Sequence, residues 1–547
     1  MKKITLLILL LSGLNNSVAA QGWDWVFIPT AEESDTSFIT PSALETDGYG
    51  NVYINCISSC PSISFGDYGF EGETGLHFRN YLVKFNGSGD VIWAKGTSEQ
   101  ENVYIRSIAV DTPGNLFTTG YFSGTYLLDG ITLETSENSD NAFIAKTGPN
   151  GNTLWALQAT ASGEGPHYIR ADGMALDPDG NIYIAGRMGG DTATFGAITI
   201  AIEDETDFFI AKYDPNGTAL WVRAWQNHST FVGPNALACD SSGNLYICGN
   251  YNNTLTIGDT VLGTEGTDST FLIKYGPDGS LIWSNSHSGS ESAVLMGLDM
   301  GLDNQNNVYT TGYFSSDVSF NGIMLSNADM SGTNDAFVAK YDSNGIIQWA
   351  KAIGGSPDAQ DSRSIYAADG NIYLSGTFES AEFPIGDTPL INEGSTSSYF
   401  AKLDTDGNYI WAQQIEGESV FQNFMTIDSA TNSLYALGIF DHAQFEGQTF
   451  ISNISPGNLY FAKYDMGDLS TNELRSNKTL LLYPNPVTDY LKVSGNGVAE
   501  TGSYIITDMS GRVIMTGSNE NSINVSSLKP GVYIINIDNS SAKFIKE

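Results

Sequence analysis

One pattern of apolar and polar positions recurs along the chain. A short apolar run meets an acidic turn, which is followed by Asn, an apolar residue and Tyr or Phe. The copies read T-D-G-Y-G-N-V-Y at 46–53, V-D-T-P-G-N-L-F at 110–117, L-D-P-D-G-N-I-Y at 176–183, C-D-S-S-G-N-L-Y at 239–246, L-D-N-Q-N-N-V-Y at 302–309 and A-A-D-G-N-I-Y at 367–373. A seventh, I-D-S-A-T-N-S-L-Y at 427–435, is one residue longer. The first six Asn positions, 51, 115, 181, 244, 307 and 371, are separated by 64, 66, 63, 63 and 64 residues. A second pattern follows each copy, in its fullest form F-x-A-K-Y-D-x-x-G-x-x-x-W-A. It carries Lys84, Lys146, Lys212, Lys274, Lys340, Lys402 and Lys463, but only six tryptophans, Trp93, Trp155, Trp221, Trp283, Trp349 and Trp411.

Each unit decodes as four strands. The apolar run is the first, and Asn-apolar-Tyr opens the second, which ends on a glycine such as Gly120, Gly186, Gly249, Gly312 or Gly376. F-x-A-K-Y is the third, with period-two alternation, and the Trp segment is the fourth. The turns between the first two and the last two strands carry Asp first and Gly last, the chemistry of a tight hairpin turn. Four antiparallel strands repeated at this period predict an all-β fold, a seven-bladed β-propeller over residues 21–465. The stretch between the second and third strands is long, and Phe195-Gly196-Ala197-Ile198 within it suggests an additional small hairpin. The last unit stops at Tyr464-Asp465 without its Trp strand, while Gln21-Gly22-Trp23-Asp24-Trp25-Val26 is a Trp strand without a unit. The N-terminal strand is therefore expected to close the ring, which removes exposed sheet edges.

These repeats resemble the bacterial β-propeller repeat family, whose copies carry an apolar-D-x-x-G-N-apolar-Y strand and an F-V-A-K segment. The resemblance spans about residues 21–465 and implies a fold, not an activity. It departs locally at Asn306 and Thr431, where Gly is usual.

Residues 466–478 are polar and aperiodic and read as a linker. Short alternating strands at tight spacing follow over 479–547, so a small Ig-like β-sandwich is expected. Tyr483-Pro484-Asn485-Pro486, the D-x-x-G-R turn at Asp508 to Arg512, L-x-P-G-x-Y at Leu528 to Tyr533 and the terminal Lys543-Phe544-Ile545-Lys546 closely resemble the type A sorting domain of the type IX secretion system. The resemblance implies export through the periplasm, with the type IX secretion machinery as partner, and a place outside the cell or on its surface. The N-terminus agrees. Met1-Lys2-Lys3, the apolar run Ile4 to Leu11 and Val18-Ala19-Ala20 read as a signal peptide over residues 1–20. No later segment is apolar enough to span a bilayer.

Charge narrows the partners. With 62 acidic against 24 basic residues, the chain carries a formal net charge of −38, so it repels nucleic acid and anionic membrane. Cys56 and Cys60 lie in one loop-like segment and could bridge in an oxidising compartment. Cys239 and Cys248 take positions held by small apolar residues in sister repeats, and a four-cysteine zinc site is disfavoured by the spacings. The five histidines, His77, His167, His228, His287 and His442, fall outside the repeat patterns, in expected loops, without a metal or nucleophile motif. A lysine ring for an anionic ligand and a calcium role for the Asp turns are both outweighed by packing and turn capping. No residue is assigned as catalytic, cofactor-binding or metal-ligating, and no cofactor is implied. The long, dissimilar connections share one side of the ring. Their content (His167, Tyr168, Trp225, His228, Phe231) suits a glycan or protein ligand. The expected function is a non-catalytic binding module; the alternative is a secreted polysaccharide hydrolase or lyase on the same scaffold.

Overall fold

The computed structural model describes residues 22–466 and 480–546, apart from 33–36, 73–77, 99–101, 137–138, 203–206, 226–231, 290–293, 328–332, 355–359, 387–388, 446–447, 453, 455–456, 484–485, 496–502, 509–512, 519–521 and 538–539. The expected signal peptide and nearly all of the expected linker lie outside the described residues, as do His77, His228 and Phe231. The chain divides into two compact units, Met1–Gly467 and Asp468–Glu547. The described residues are all β and contain no helix.

In the first unit the repeats become antiparallel four-stranded arrays. The first repeat gives Ile39–Thr46, Val52–Ser58, Arg79–Phe85 and Val91–Gly96, hydrogen-bonded in that order. Five further repeats follow the same order. The last chain-order array is Phe421–Asp428, Ser433–Phe440 and Asn458–Asp465, and its fourth strand is Gly22–Phe27. In that pairing Trp23 lies opposite Tyr464 and Trp25 opposite Lys463.

A row of three side chains crosses each array. Lys212 pairs with Tyr183 on one side and Trp221 on the other; Lys463 pairs with Tyr435 and Trp25. The ammonium sits over the tyrosine ring, 4.7 Å from its centroid at Lys212 and 4.6 Å at Lys274. In five of the seven arrays lysine and tryptophan then converge on one carbonyl of the next array. Lys212 Nζ and Trp221 Nε1 donate to the Pro277 oxygen at 3.3 and 3.0 Å, and Lys340 and Trp349 to the Thr405 oxygen at 3.0 and 3.2 Å. Lys463 and Trp25 do the same to Gly87 of the first array, at 3.3 and 3.2 Å. The lysines thus serve the seams between neighbouring sheets.

The acidic turns are capped by their own side chains. Asp177 Oδ1 accepts from the backbone amides of Asp179 and Asn181, at 3.1 and 2.8 Å, and Asn181 Nδ2 donates back to Oδ2 at 2.8 Å. Asn306, which stands where sister turns have Gly, adopts the left-handed conformation with φ 62°.

The long segment of each repeat forms a second hairpin, such as Thr192–Phe195 with Ile198–Ala201 and His442–Phe445 with Gln448–Ile451. Several of these hairpins add to the fourth strand of the preceding array. Thr192–Phe195 pairs with Thr153–Ser162, and His442–Phe445 with Tyr409–Glu418. The second and third arrays join into a ten-stranded sheet through a short parallel pairing, Ser139 with His167 and Asp140 with Tyr168.

The second unit has two sheets, Leu480–Tyr483 with Tyr490–Gly495 and Ile523–Asn524, and Val513–Ser518 with Ser503–Asp508, Gly531–Ile537 and Ser540–Lys546. They share a core of Val487, Leu491, Ile506, Ile523, Val525, Ile535 and Phe544.

Candidate functional site

The first strands of the repeats are Ile39–Thr46, Asn102–Val110, His167–Leu176, Val232–Cys239, Leu295–Leu302, Gln360–Ala368 and Phe421–Asp428. Each lies beside the next, and the last lies beside the first. Together they enclose a cavity of about 420 Å³ that all of them line.

Every one of these strands bulges at the same place. The register shifts fall at Pro41/Ala43, Ala171/Gly173, Pro234/Ala236, Gly297/Asp299, Ser362/Ser364 and Phe421/Phe424, and opposite Thr119/Gly120 in the second repeat. A bulge inserts one residue and re-aims the side chains on either side of it. It also explains the glycine of the second strand, which lies inside the strand and not, as expected, at its end: Gly120 within Leu116–Ser123 and Gly312 within Val308–Phe314. A Cβ at Gly120 or Gly312 would lie 1.8 Å from the bulge carbonyl, of Tyr104 or Met296. The inserted residues differ from repeat to repeat: Ser42, Arg106, Asp172, Asn235, Leu298 and Arg363 in the first six.

Charge gathers at two levels. At the bulges, Asp172 sits between two guanidiniums, with Arg187 Nε at 3.1 Å and Arg106 Nε at 3.8 Å. Arg170 is held by Asp140 through its Nε at 2.8 Å. Its guanidinium stacks over Tyr121 and Tyr168, at 4.9 and 5.2 Å, and Tyr121 stacks on Tyr104 at 4.8 Å. Nearer the tight turns, burial pushes the Glu45 carboxyl up to about 7, and the charge of Asp299 adds to the rise. Asp299 is pushed up to about 6 by burial, against hydrogen bonds from the Met300 and Ile365 amides at 2.8 and 2.9 Å and from Ser364 Oγ at 3.1 Å. Burial, with the Glu45 charge assisting, raises the Tyr366 hydroxyl to about 12. The cavity thus joins fixed cations at its bulges to carboxyls that exchange protons near neutrality.

The residues that suggested a ligand face are only partly brought together. Tyr168 joins the arginine stack. His167 is bonded locally, its Nδ1–H donating to the Gly165 oxygen at 2.9 Å. Trp225 is a correction: it is buried, stacked on Phe208 at 4.3 Å and near Tyr275 at 5.8 Å, so it belongs to the core. His287 is a second correction. It lies in the strand Leu281–Ser288, not in a loop, bonded to the Tyr341 hydroxyl at 2.8 Å, with burial lowering it to about 4. His167 and His442 are also in strands. All four cysteines are free thiols; Cys56, Cys60 and Cys248 are buried. Among the described residues no group of three or more His, Cys, Asp or Glu could hold a metal ion, and no helix is long and apolar enough to cross a membrane.

The repeated all-β unit is similar to two curated proteins, one of them WD repeat-containing. An uncharacterized WD repeat-containing protein of Acanthamoeba polyphaga mimivirus is 25% identical over 435 residues, covering 70% of this chain and 28% of its own length. The regulatory protein FlaEY of Caulobacter vibrioides is 26% identical over 147 residues, covering 26% of this chain and 15% of its own. The chain therefore spans well under a third of either relative. Among solved structures, prolyl oligopeptidase B from Galerina marginata is 8% identical with a TM-score of 0.40, covering 92% of this chain and 56% of that one. Cobalt-substituted apocarotenoid oxygenase from Synechocystis is 10% identical with a TM-score of 0.35, covering 79% and 94%. The particular assignment comes from the other end of the chain. Residues 481–547 match the family described as the secretion system C-terminal sorting domain. This tail makes the chain a secreted or cell-surface protein exported through the periplasm by the type IX system.

Proposed function

We propose that the chain is a type IX-exported, seven-bladed β-propeller that binds a ligand at the mouth of its central channel without turning it over. In this reading residues 1–20 are the signal peptide and 21–465 the propeller. Residues 466–478 are a linker and 479–547 an Ig-like sorting domain. Seven four-stranded arrays and the cyclic adjacency of their first strands support the propeller. The pairing of Gly22–Phe27 with Asn458–Asp465 supports closure by the N-terminal strand.

One observation carries the binding role. The outer rows repeat Lys and Trp in every array and Tyr in all but the second, which has Phe117, whereas the bulged positions around the cavity hold a different side chain almost every time. A regular scaffold with a varied inner surface suits recognition. The ligand is a glycan or a protein. Glycan and protein arrays probed with the purified mature chain test this, and the absence of any ligand on either array refutes it.

A second reading, a polysaccharide hydrolase or lyase, has a specific observation behind it. Glu45 and Asp299 face one cavity with raised carboxyl pKa values, as acid–base chemistry near neutrality requires. Reducing-end release from polysaccharides, abolished in Glu45→Gln and Asp299→Asn, would establish it in place of the binding role.

A further inference from the structure

The cavity mouth concentrates cations on an acidic protein. Residues 22–466 contain six arginines, at 79, 106, 170, 187, 223 and 363. Three of them, Arg106, Arg170 and Arg187, meet around Asp140 and Asp172. Three guanidiniums against two carboxylates leave a local excess of one positive charge, in a chain whose net charge is −38.

The three arginines are not equivalent. Arg170 is fixed by Asp140 and locked between Tyr121 and Tyr168. Arg187 is held by Asp172. Arg106 has only the 3.8 Å approach of its Nε to the same Asp172, its side chain is 48% exposed, and it lines the cavity. Its terminal nitrogens donate to no described residue. A guanidinium positioned this way is a bidentate donor waiting for a carboxylate.

The aromatic groups add shape. Tyr104, Tyr121, Arg170 and Tyr168 stack in that order, so Tyr121 has both faces covered and Tyr104 ends the pile. Tyr104 is two residues before Arg106 on the same strand, so their Cα atoms are roughly 7 Å apart, and the Arg106 charge acts on the hydroxyl of Tyr121, the ring on which Tyr104 stacks. A flat aromatic ring beside an open guanidinium fits a residue that carries a ring and a carboxylate together.

We propose that this mouth binds a uronate residue of an acidic polysaccharide, its carboxylate on Arg106 and its pyranose ring against Tyr104. Acidic peptides fit less well, because Asp and Glu carry their charge on a flexible stem with no ring to stack. The inference rests on the binding role proposed above and gives it a ligand class.

Titration calorimetry on the mature full chain tests it, with oligogalacturonate, an uncharged cello-oligosaccharide and poly-glutamate as probes. Oligogalacturonate should bind with an affinity that falls as salt rises. Arg106→Gln should weaken it at least tenfold, Arg106→Lys should keep part of the affinity, and Tyr104→Ala should weaken it severalfold, with melting temperatures unchanged. Unaltered oligogalacturonate affinity in Arg106→Gln, or equal affinity for poly-glutamate, overturns the proposal. Binding of the uncharged sugar alone overturns it while leaving the binding role intact. No binding of any probe, together with empty arrays, overturns both.

Discussion

The outer layer of the repeat unit and its inner layer obey opposite rules. Outside, the aromatic-Lys-Trp row recurs in every array, with Tyr first in all but the second, and in five of the seven lysine and tryptophan end on one carbonyl of the adjoining sheet. Inside, the backbone recurs, bulge for bulge, while the side chains diverge: Ser42, Arg106, Asp172, Asn235, Leu298, Arg363. Repetition of chemistry marks what holds the sheets together. Repetition of geometry with changing chemistry marks what is free to specialise.

The largest test of this contrast is removal of Gly22–Phe27. Trp23 packs on Phe445, Tyr464 and Phe400, and Trp25 on Phe461, so the strand touches more than one array. Two tryptophans of about 150–250 Å² each, at about 25 cal/mol per Å², set an upper bound near 8–12 kcal/mol. Their partial exposure lowers it, yet the loss is comparable with a typical total stability of about 5–15 kcal/mol. A chain lacking residues 22–27 should show no cooperative melting transition by circular dichroism.

Next is Lys212→Met. Lys212 and Asp177 are 3.1 Å apart, with side chains only 6% and 2% exposed. Removing the cation strands a buried carboxylate, at about 3–5 kcal/mol. Urea denaturation should register it, and a loss below about 1 kcal/mol would mean that the outer row is dispensable.

Gly312→Ala strikes the geometry of the inner layer rather than its chemistry. The added methyl collides with the Met296 carbonyl, so about 1–3 kcal/mol should be lost by the same measurement.

The pH dependence is smaller. Glu45 and Asp299 titrate higher in the fold than in the unfolded chain, so the native state holds extra protons between roughly pH 4, the unfolded value, and about 7. Stability from these groups is complete below that window and is lost as pH rises through it. Glu45→Gln should therefore melt with the parent at pH 4 and several degrees above it at pH 8. Coincident melting at both values would remove Glu45 from the buried inner layer.

Much of the outer layer is legible in the sequence, because repetition multiplies a weak signal. The missing seventh tryptophan is visible only because six others set the count, and the row pairing makes Trp25, opposite Lys463, its counterpart. The small hairpins are legible from Phe195-Gly196; their pairing with the preceding array is not, since it depends on strands about thirty residues away. The inner site is the least legible. Glu45, Asp172 and Asp299 match nothing in sister repeats and Arg106 is matched only by Arg363, so no periodicity singles them out. The glycines within the second strands are the one trace of the bulges, and their meaning requires the opposing carbonyl. Trp225 misleads because an aromatic residue at the edge of a variable segment looks the same whether it turns outward or into the core.

The Lys463–Asp24 contact joins residues 439 positions apart, and it has a consequence for how the molecule comes to exist. Whatever order the sheets assemble in, Gly22–Phe27 waits for Asn458–Asp465, the last strand of its unit to be made. Until then both flanks present unpaired backbone, and the nascent molecule resembles a necklace carried with its clasp undone.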